Sequence, residues 1–339
     1  MISWADAHRR AAVKAAELQA DLGIHLDRPV DVFGAVQQLG IVLAFAPLGK
    51  VSGIYIPRRR SPGILLHSGH PRTRQRYTAG HELGHHVFEH AAEVDLDLEY
   101  QLERGEVERW PDHEKEAEAF GAWFLMPRRL IREGLAQLGI DRPRSPLDVY
   151  ALALWLGTSY AATALQLSVT RLLGSQEAQI WSRIPPRTIK RRLAGELVPE
   201  DMANDVWLLD AKHNRAPVQA RPGDRLVLTL DEIPSSGYAW RFTELPVGFR
   251  LVADSNDDEW VILPSGSELF EEDFAGTAHP RSLVVELDRQ LGKAVQRIAL
   301  VKDQPWDPGP PSADFEILVS INPRLEGIQL PEQELALTA

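Results

Sequence analysis

The sequence predicts an α+β chain, a helical first half carrying a small β-sheet and an all-β sandwich behind it. Three observations support that expectation. Apolar residues recur at helical spacing through most of residues 1–175, interrupted by strand-like runs between 41 and 68, and beyond Gly223 the period drops to two. The third is His81-Glu82-Leu83-Gly84-His85, a motif that has meaning only on a helix. The expected boundaries are 1–145 for the helical domain, 146–174 for a helix-turn-helix-like pair packed on it, 175–206 for a connecting region, 207–322 for the sandwich and 323–339 for a tail.

Composition narrows the function classes. The 339 residues include no Cys, which excludes disulfides, thiolate zinc knuckles, iron–sulfur clusters and a cysteine nucleophile. Any metal must rest on His, Asp and Glu, and a cytoplasmic location is expected. The net charge is −11, and residues 215–322 carry 10 basic against 18 acidic side chains, which disfavours direct nucleic-acid binding.

Along the chain, charges at Asp6, Arg9, Arg10, Lys14 and Glu17 break the apolar core a secretory signal would need, so residues 1–24 read as an amphipathic helix. A second helix ends at Gly40. Residues 41–47, 52–57 and 63–68 read as strands, the last two joined by a polar turn. A helix then runs from about Ser68 or Pro71 to His90. From Glu93 to Glu118 there are eleven Asp or Glu against three basic residues, ending in a helix, Glu114 to Met126, that Pro127 stops. Residues 149–170 are free of charge, but Gly157-Thr158-Ser159 is a turn followed by an N-cap, so two helices are expected and not a membrane span. The second of these has no Lys or Arg between Ser159 and Thr170, which argues against DNA reading. Farther on comes a basic helix around Lys190 to Arg192. Alternating strands follow at 223–230, with Leu226, Leu228 and Leu230 on one face, and at 259–264, 281–288, 296–302 and 314–321, the pattern of an antiparallel sandwich.

The motif carries the chemistry. Positions i and i+4 of a helix share a face about 6 Å apart along the axis, so the imidazoles of His81 and His85 can converge on one ion. Glu82, one step round, can take a proton from a water that the ion activates. Two histidines leave zinc one protein ligand short. The helix stopped by Pro127 offers Glu114, with His113 as its competitor, and Glu118 one turn on can accept the other N–H of a ligand histidine. Glu116 points away from the face marked by Ala117, Gly121, Phe124 and Leu125 and reads as an acid on a solvated face. His86 and His90 read as bystanders. Gly80 and Gly84 each cost a helix about 1 kcal/mol relative to Ala, which suggests close approach of a neighbouring backbone, first of all a strand against which a peptide would lie. One zinc ion is the expected cofactor, and Mn2+ or Fe2+ suit a similar donor set.

The segment RQRYTAGHELGHH, then EKEAEAFGAWFLMP and the helical pair, resemble the ImmA/IrrE family of metallopeptidases over roughly residues 25–175. The resemblance implies a zincin-like domain in which His81, His85 and Glu114 bind zinc and Glu82 is the catalytic base. It also implies a cytoplasmic protease that cleaves helix-turn-helix repressors and so switches on prophage, mobile-element or stress genes. Tyr77 stands where the family often has Phe, and Glu118 where it often has Asn. A repressor is basic, and the acidic connection before Glu118 would steer it.

In the second half, residues 231–240 form a strand end, a turn with Pro234 and Gly237, and a return strand bearing Tyr238 and Trp240. Trp306 stands among prolines and acids, an aromatic that must pack locally or bind a partner. The order GDRLVLTL, PSSGYAW, AGTAHPRSLVVEL and QPW resembles the chagasin family, immunoglobulin-like β-sandwich inhibitors of papain-like cysteine peptidases, over roughly residues 207–322. The resemblance implies three partner-binding loops: Pro234, Ser235, Ser236, Gly237 and Tyr238; Ala275 to His279 with Gly276; and Pro305 with Trp306. Ile233, Ser235, Ser236 and Gln304 depart from the family pattern. The chain is therefore expected to be a zinc endopeptidase acting on a regulatory protein, with the sandwich as a recognition or regulatory module. The rival expectation is an interaction protein that binds or inhibits a papain-like protease through these loops and whose metal domain no longer turns over.

Overall fold

Side chains that compete for backbone hydrogen bonds set where the first helices begin. The computed structural model describes residues 1–58, 61–91, 110–256, 279–304, 306 and 309–329. The acidic connection between 92 and 109, the strand expected at 259–264 and most of the loop before His279 lie outside them. Ser3 accepts from the Asp6 N–H and opens helix α1 (Trp4–Asp21), and Asp31 accepts from Gly34 and opens α2 (Val32–Gln38). Helix α1 buries Ala7, Ala11 and Ala15, small residues one turn apart that let it lie close to its neighbour.

Strands β1 (Val42–Ala46) and β3 (Gly63–His67) pair in parallel, and β2 (Gly53–Ile56) pairs antiparallel with β3. A short strand from far along the chain, β12 (Gly327–Gln329), pairs antiparallel with β1, giving the order β12-β1-β3-β2 with β2 at the edge. It comes from the stretch read as a tail, because three residues are too few to show a period.

Helices α3 (Arg72–Val87) and α4 (Asp112–Leu125) each start directly after a proline, whose fixed φ suits a helix start. They touch through glycine. A Cβ on Gly80 would lie 3.2 Å from the Gly121 Cα, and one on Gly84 2.9 Å from the Ala117 Cα. The close approach expected at these glycines is therefore made by α4 and not by a strand. Strand β2 makes its own approach to α3 at Gly53, where a Cβ would stand 2.9 Å from a Glu82 carboxylate oxygen.

Helix α5 (Arg128–Gln137) follows Pro127. Helix α6 (Pro146–Leu156) stops at Gly157, which has φ +65°, and Ser159 caps α7 (Tyr160–Val169) by accepting from the Ala162 N–H. Helix α8 (Ser175–Ser182) follows. Among the described residues, no helix is long and apolar enough to cross a membrane.

The chain divides into two compact units, one of residues 1–137, 156–182 and 324–339 and the other of residues 138–155 and 183–323. The second contains α6, α9 (Pro186–Ala194) and two four-stranded sheets. One sheet has the order β4-β6-β9-β8, made of β4 (Val206–Asp210), β6 (Arg225–Glu232), β9 (His279–Leu287) and β8 (Phe249–Asp254). The other has the order β5-β11-β10-β7, made of β5 (Pro217–Val218), β11 (Ala313–Ile321), β10 (Ala294–Asp303) and β7 (Ala239–Glu244). Leu226, Leu228 and Leu230 meet Leu283, Val285, Ile298, Leu300, Phe315 and Ile317 in one apolar core. The expected antiparallel pairing holds except where β4 meets β6 and β5 meets β11, which are parallel. The chain passes from β4 through β5 in the opposite sheet before returning as β6, and such a crossover leaves two strands running the same way.

Candidate metal centre

Two side chains four residues apart on α3 converge on one from the first turn of α4. The Nε2 atoms of His81 and His85 lie 3.1 Å apart. His81 Nε2 is 3.1 Å from one carboxylate oxygen of Glu114, and His85 Nε2 is 3.5 Å from the other. The glycine contacts explain the reach, since a glutamate can span two helices only where their backbones nearly touch. Tetrahedral zinc with bonds of about 2.0–2.2 Å separates its donors by about 3.3–3.6 Å. The observed spacings are close to that, and one donor atom from each of the three residues lies within 4.8 Å of the others. His113, the competing ligand, stands behind this set with its Nε2 3.3 Å from Glu114 Oε1.

The electrostatics follow from burial and from these pairs. Burial disfavours a charge on His81, yet the carboxylates of Glu114 and Glu118 outweigh it and raise its pKa well above the usual value. Burial opposes ionisation of Glu114 too, but hydrogen bonds from His81 and His85 hold it well below the ordinary carboxylate range. Burial pushes His85 down to about 4 despite its bond to Glu114. Glu82 is pushed up to about 7 by burial against the pull of the His81 charge, and the Tyr55 backbone N–H bonds to it. A carboxyl poised there can both accept and return a proton near neutrality.

Glu118 lies with one oxygen 3.1 Å from His81 Nδ1 and the other accepting from the Tyr77 hydroxyl at 2.7 Å. His86 turns toward β2, its Nδ1 2.9 Å from the Tyr55 hydroxyl. Two residues stand where the sequence did not suggest. Glu116, expected on a solvated face, is buried, because α1 covers that side of α4 and brings Arg10 onto its carboxylate. His90, read as a bystander, places Nδ1 3.0 Å from His85 Nδ1 and Nε2 3.2 Å from Glu116. No periodicity could have revealed this, since α3 ends at Val87 and His90 belongs to the turn that follows.

In the sandwich, two of the three loops touch. Gly237 has φ +74°, and a Cβ there would strike the Trp306 ring. Gln304 donates to the Ser236 carbonyl at 3.1 Å, and the Tyr238 N–H donates to the Ser236 hydroxyl at 3.2 Å. Trp306 remains 71% exposed. Ser235 is exposed and Pro234 lies in the short turn before it. Gly276 and Pro305 fall outside the described residues.

Residues 36–168 match the family model Peptidase_M78, the IrrE N-terminal-like domain. The matched region contains all three converging donors and Glu82. That family is one of metallopeptidase-type hydrolases whose metal is typically zinc, and the matched region offers His81, His85 and Glu114 as a possible donor set. A comparison with curated proteins finds no match. Among solved structures, the chain is similar to a cysteine protease inhibitor from Entamoeba histolytica, at 23% identity and a TM-score of 0.28 over 35% of this chain and 96% of that one. It is similar also to amebosin, at 18% identity and a TM-score of 0.25 over 35% of this chain and 98% of that one. A third is PbICP-C, solved in complex with falcipain-2, at 14% identity and a TM-score of 0.19 over 35% of this chain and 92% of that one.

Proposed function

We propose that the first unit is a zinc-dependent endopeptidase that cleaves a regulatory protein, such as a helix-turn-helix repressor, in the cytoplasm. The observation that carries the reading is the convergence of His81, His85 and Glu114 beside the buried Glu82. Zinc held by those three side chains would supply a Lewis acid that polarises a peptide carbonyl and acidifies a water. Glu82 takes the proton of the attacking water at its carboxylate and returns it to the departing amine. Tyr77 fixes Glu118, Glu118 holds the Nδ1 of His81, and the ring is left presenting Nε2. The sandwich serves as a recognition or regulatory module, and the excess of acids in residues 215–322 favours a basic protein substrate.

Glu82→Gln should lower cleavage of a proteome-derived peptide library, read by mass spectrometry, by about 10²–10⁴-fold while zinc stays at one ion per chain. Unchanged cleavage would overturn the reading. The exposed Trp306 supports a second function, inhibition of a papain-like cysteine peptidase by the sandwich. Inhibition lost in Trp306→Ala supports it, and no inhibition at micromolar protein removes it.

A further inference from the structure

We propose that His90 and Glu116 are positioning residues that hold the ligand His85 for the metal, Glu116 acting through His90. The inference rests on the metal reading above and extends it to the groups behind the donors. If His81 and His85 both give Nε2 to an ion, each keeps its hydrogen on Nδ1 and needs an acceptor there. For His81 that acceptor is the Glu118 carboxylate at 3.1 Å. For His85 it is a second imidazole, the Nδ1 of His90 at 3.0 Å.

An accepting Nδ1 puts the His90 hydrogen on Nε2, and that nitrogen lies 3.2 Å from Glu116 Oε2. The other oxygen of Glu116 is paired with Arg10. One direction of hydrogen bonding satisfies all four groups: His85 donates to His90, His90 donates to Glu116, and Arg10 donates to Glu116. The two ligand histidines are thus supported differently, one by a carboxylate and the other by a ring that relays one.

The backbone is bent to bring His90 there. Glu89 adopts φ 57°, the left-handed conformation for which a helix end ordinarily employs glycine. The His90 N–H then reaches back to the His85 carbonyl at 2.9 Å. The Phe88 ring stacks on the His90 ring at 5.6 Å with planes 8° apart, and Phe120 meets Phe88 edge-on.

The test measures zinc affinity of the full chain by chelator competition. His90→Phe keeps the stack but offers no acceptor, and should weaken zinc binding about 10–100-fold. His90→Asn places an oxygen where Nδ1 stood and restores part of the loss. Glu116→Gln lowers affinity in the native background and changes nothing further beside His90→Phe, whereas Glu118→Gln lowers it by the same factor in both. Nitrogen NMR of labelled histidines in the zinc-loaded chain should show a protected proton on His85 Nδ1 that exchanges rapidly in His90→Phe. Native affinity in His90→Phe, or a Glu116→Gln loss undiminished beside it, overturns the proposal while leaving the metal site standing. A native chain that takes up no zinc overturns the metal reading itself, so the two failures are told apart.

Discussion

Two clusters of buried charge in this chain are built on opposite plans. In the sandwich, Arg281 bonds Asp254 at 2.6 Å and Glu232 at 3.1 Å. The protein supplies both signs there, and the cluster is complete as folded. At the proposed metal centre, Glu114 and Glu118 face imidazoles, which carry a countercharge only when protonated. That cluster is complete only with a proton or a cation in it, because a buried carboxylate without a countercharge is costly.

The contrast can be broken by exchanging the readouts. Glu114→Gln should lower zinc affinity by more than about a hundredfold, beyond the range typical of groups behind the ligands. Arg281→Met should leave zinc affinity unchanged and lower the unfolding free energy by about 3 kcal/mol in urea titrations, because it strands two buried carboxylates. A shift of zinc affinity in Arg281→Met would show that the two clusters are not independent.

A smaller effect, in pH, sharpens the same comparison. His81 binds its proton more tightly than a free histidine, and an ion must displace that proton, so apparent zinc affinity should rise with pH and level off above the raised pKa. In the sandwich, the Arg281 hydrogen bonds outweigh burial and lower the pKa of Asp254, and those of Arg225 and Arg250 do the same for Glu286. Their contribution is fully present above the unfolded carboxylate range, about 4, and is lost as pH falls through the lower folded values. The difference in urea midpoint between the native chain and Arg281→Met should therefore shrink only in acid. A difference that already shrank between neutral pH and pH 6 would contradict this account of the sandwich.

Much of the molecule was legible because its signals are local. The strand runs at 42–46, 53–56 and 63–67 and the turn at Gly157 to Ser159 can be read from adjacent residues, and so can the shift to period two beyond Gly223. The spacing of His81 and His85 is likewise a property of any helix. Glu116 was misread because what covers it is Arg10, 106 residues earlier, and sequence distance carries no packing information. The contact of His90 with His85 was not legible because a left-handed residue at Glu89 folds it back over α3, and glutamate does not announce that conformation as glycine does.

The sequence by itself determined which residue types are available for chemistry and on which helical face each pair lies, since bond geometry repeats every 3.6 residues whatever surrounds it. The tertiary structure decided which faces meet. Gly80 and Gly84 admit Gly121 and Ala117 at contact distance, and only that approach brings Glu114 to the two histidines. Whether two helices touch depends on the volume of side chains distant in sequence, and no local pattern records it.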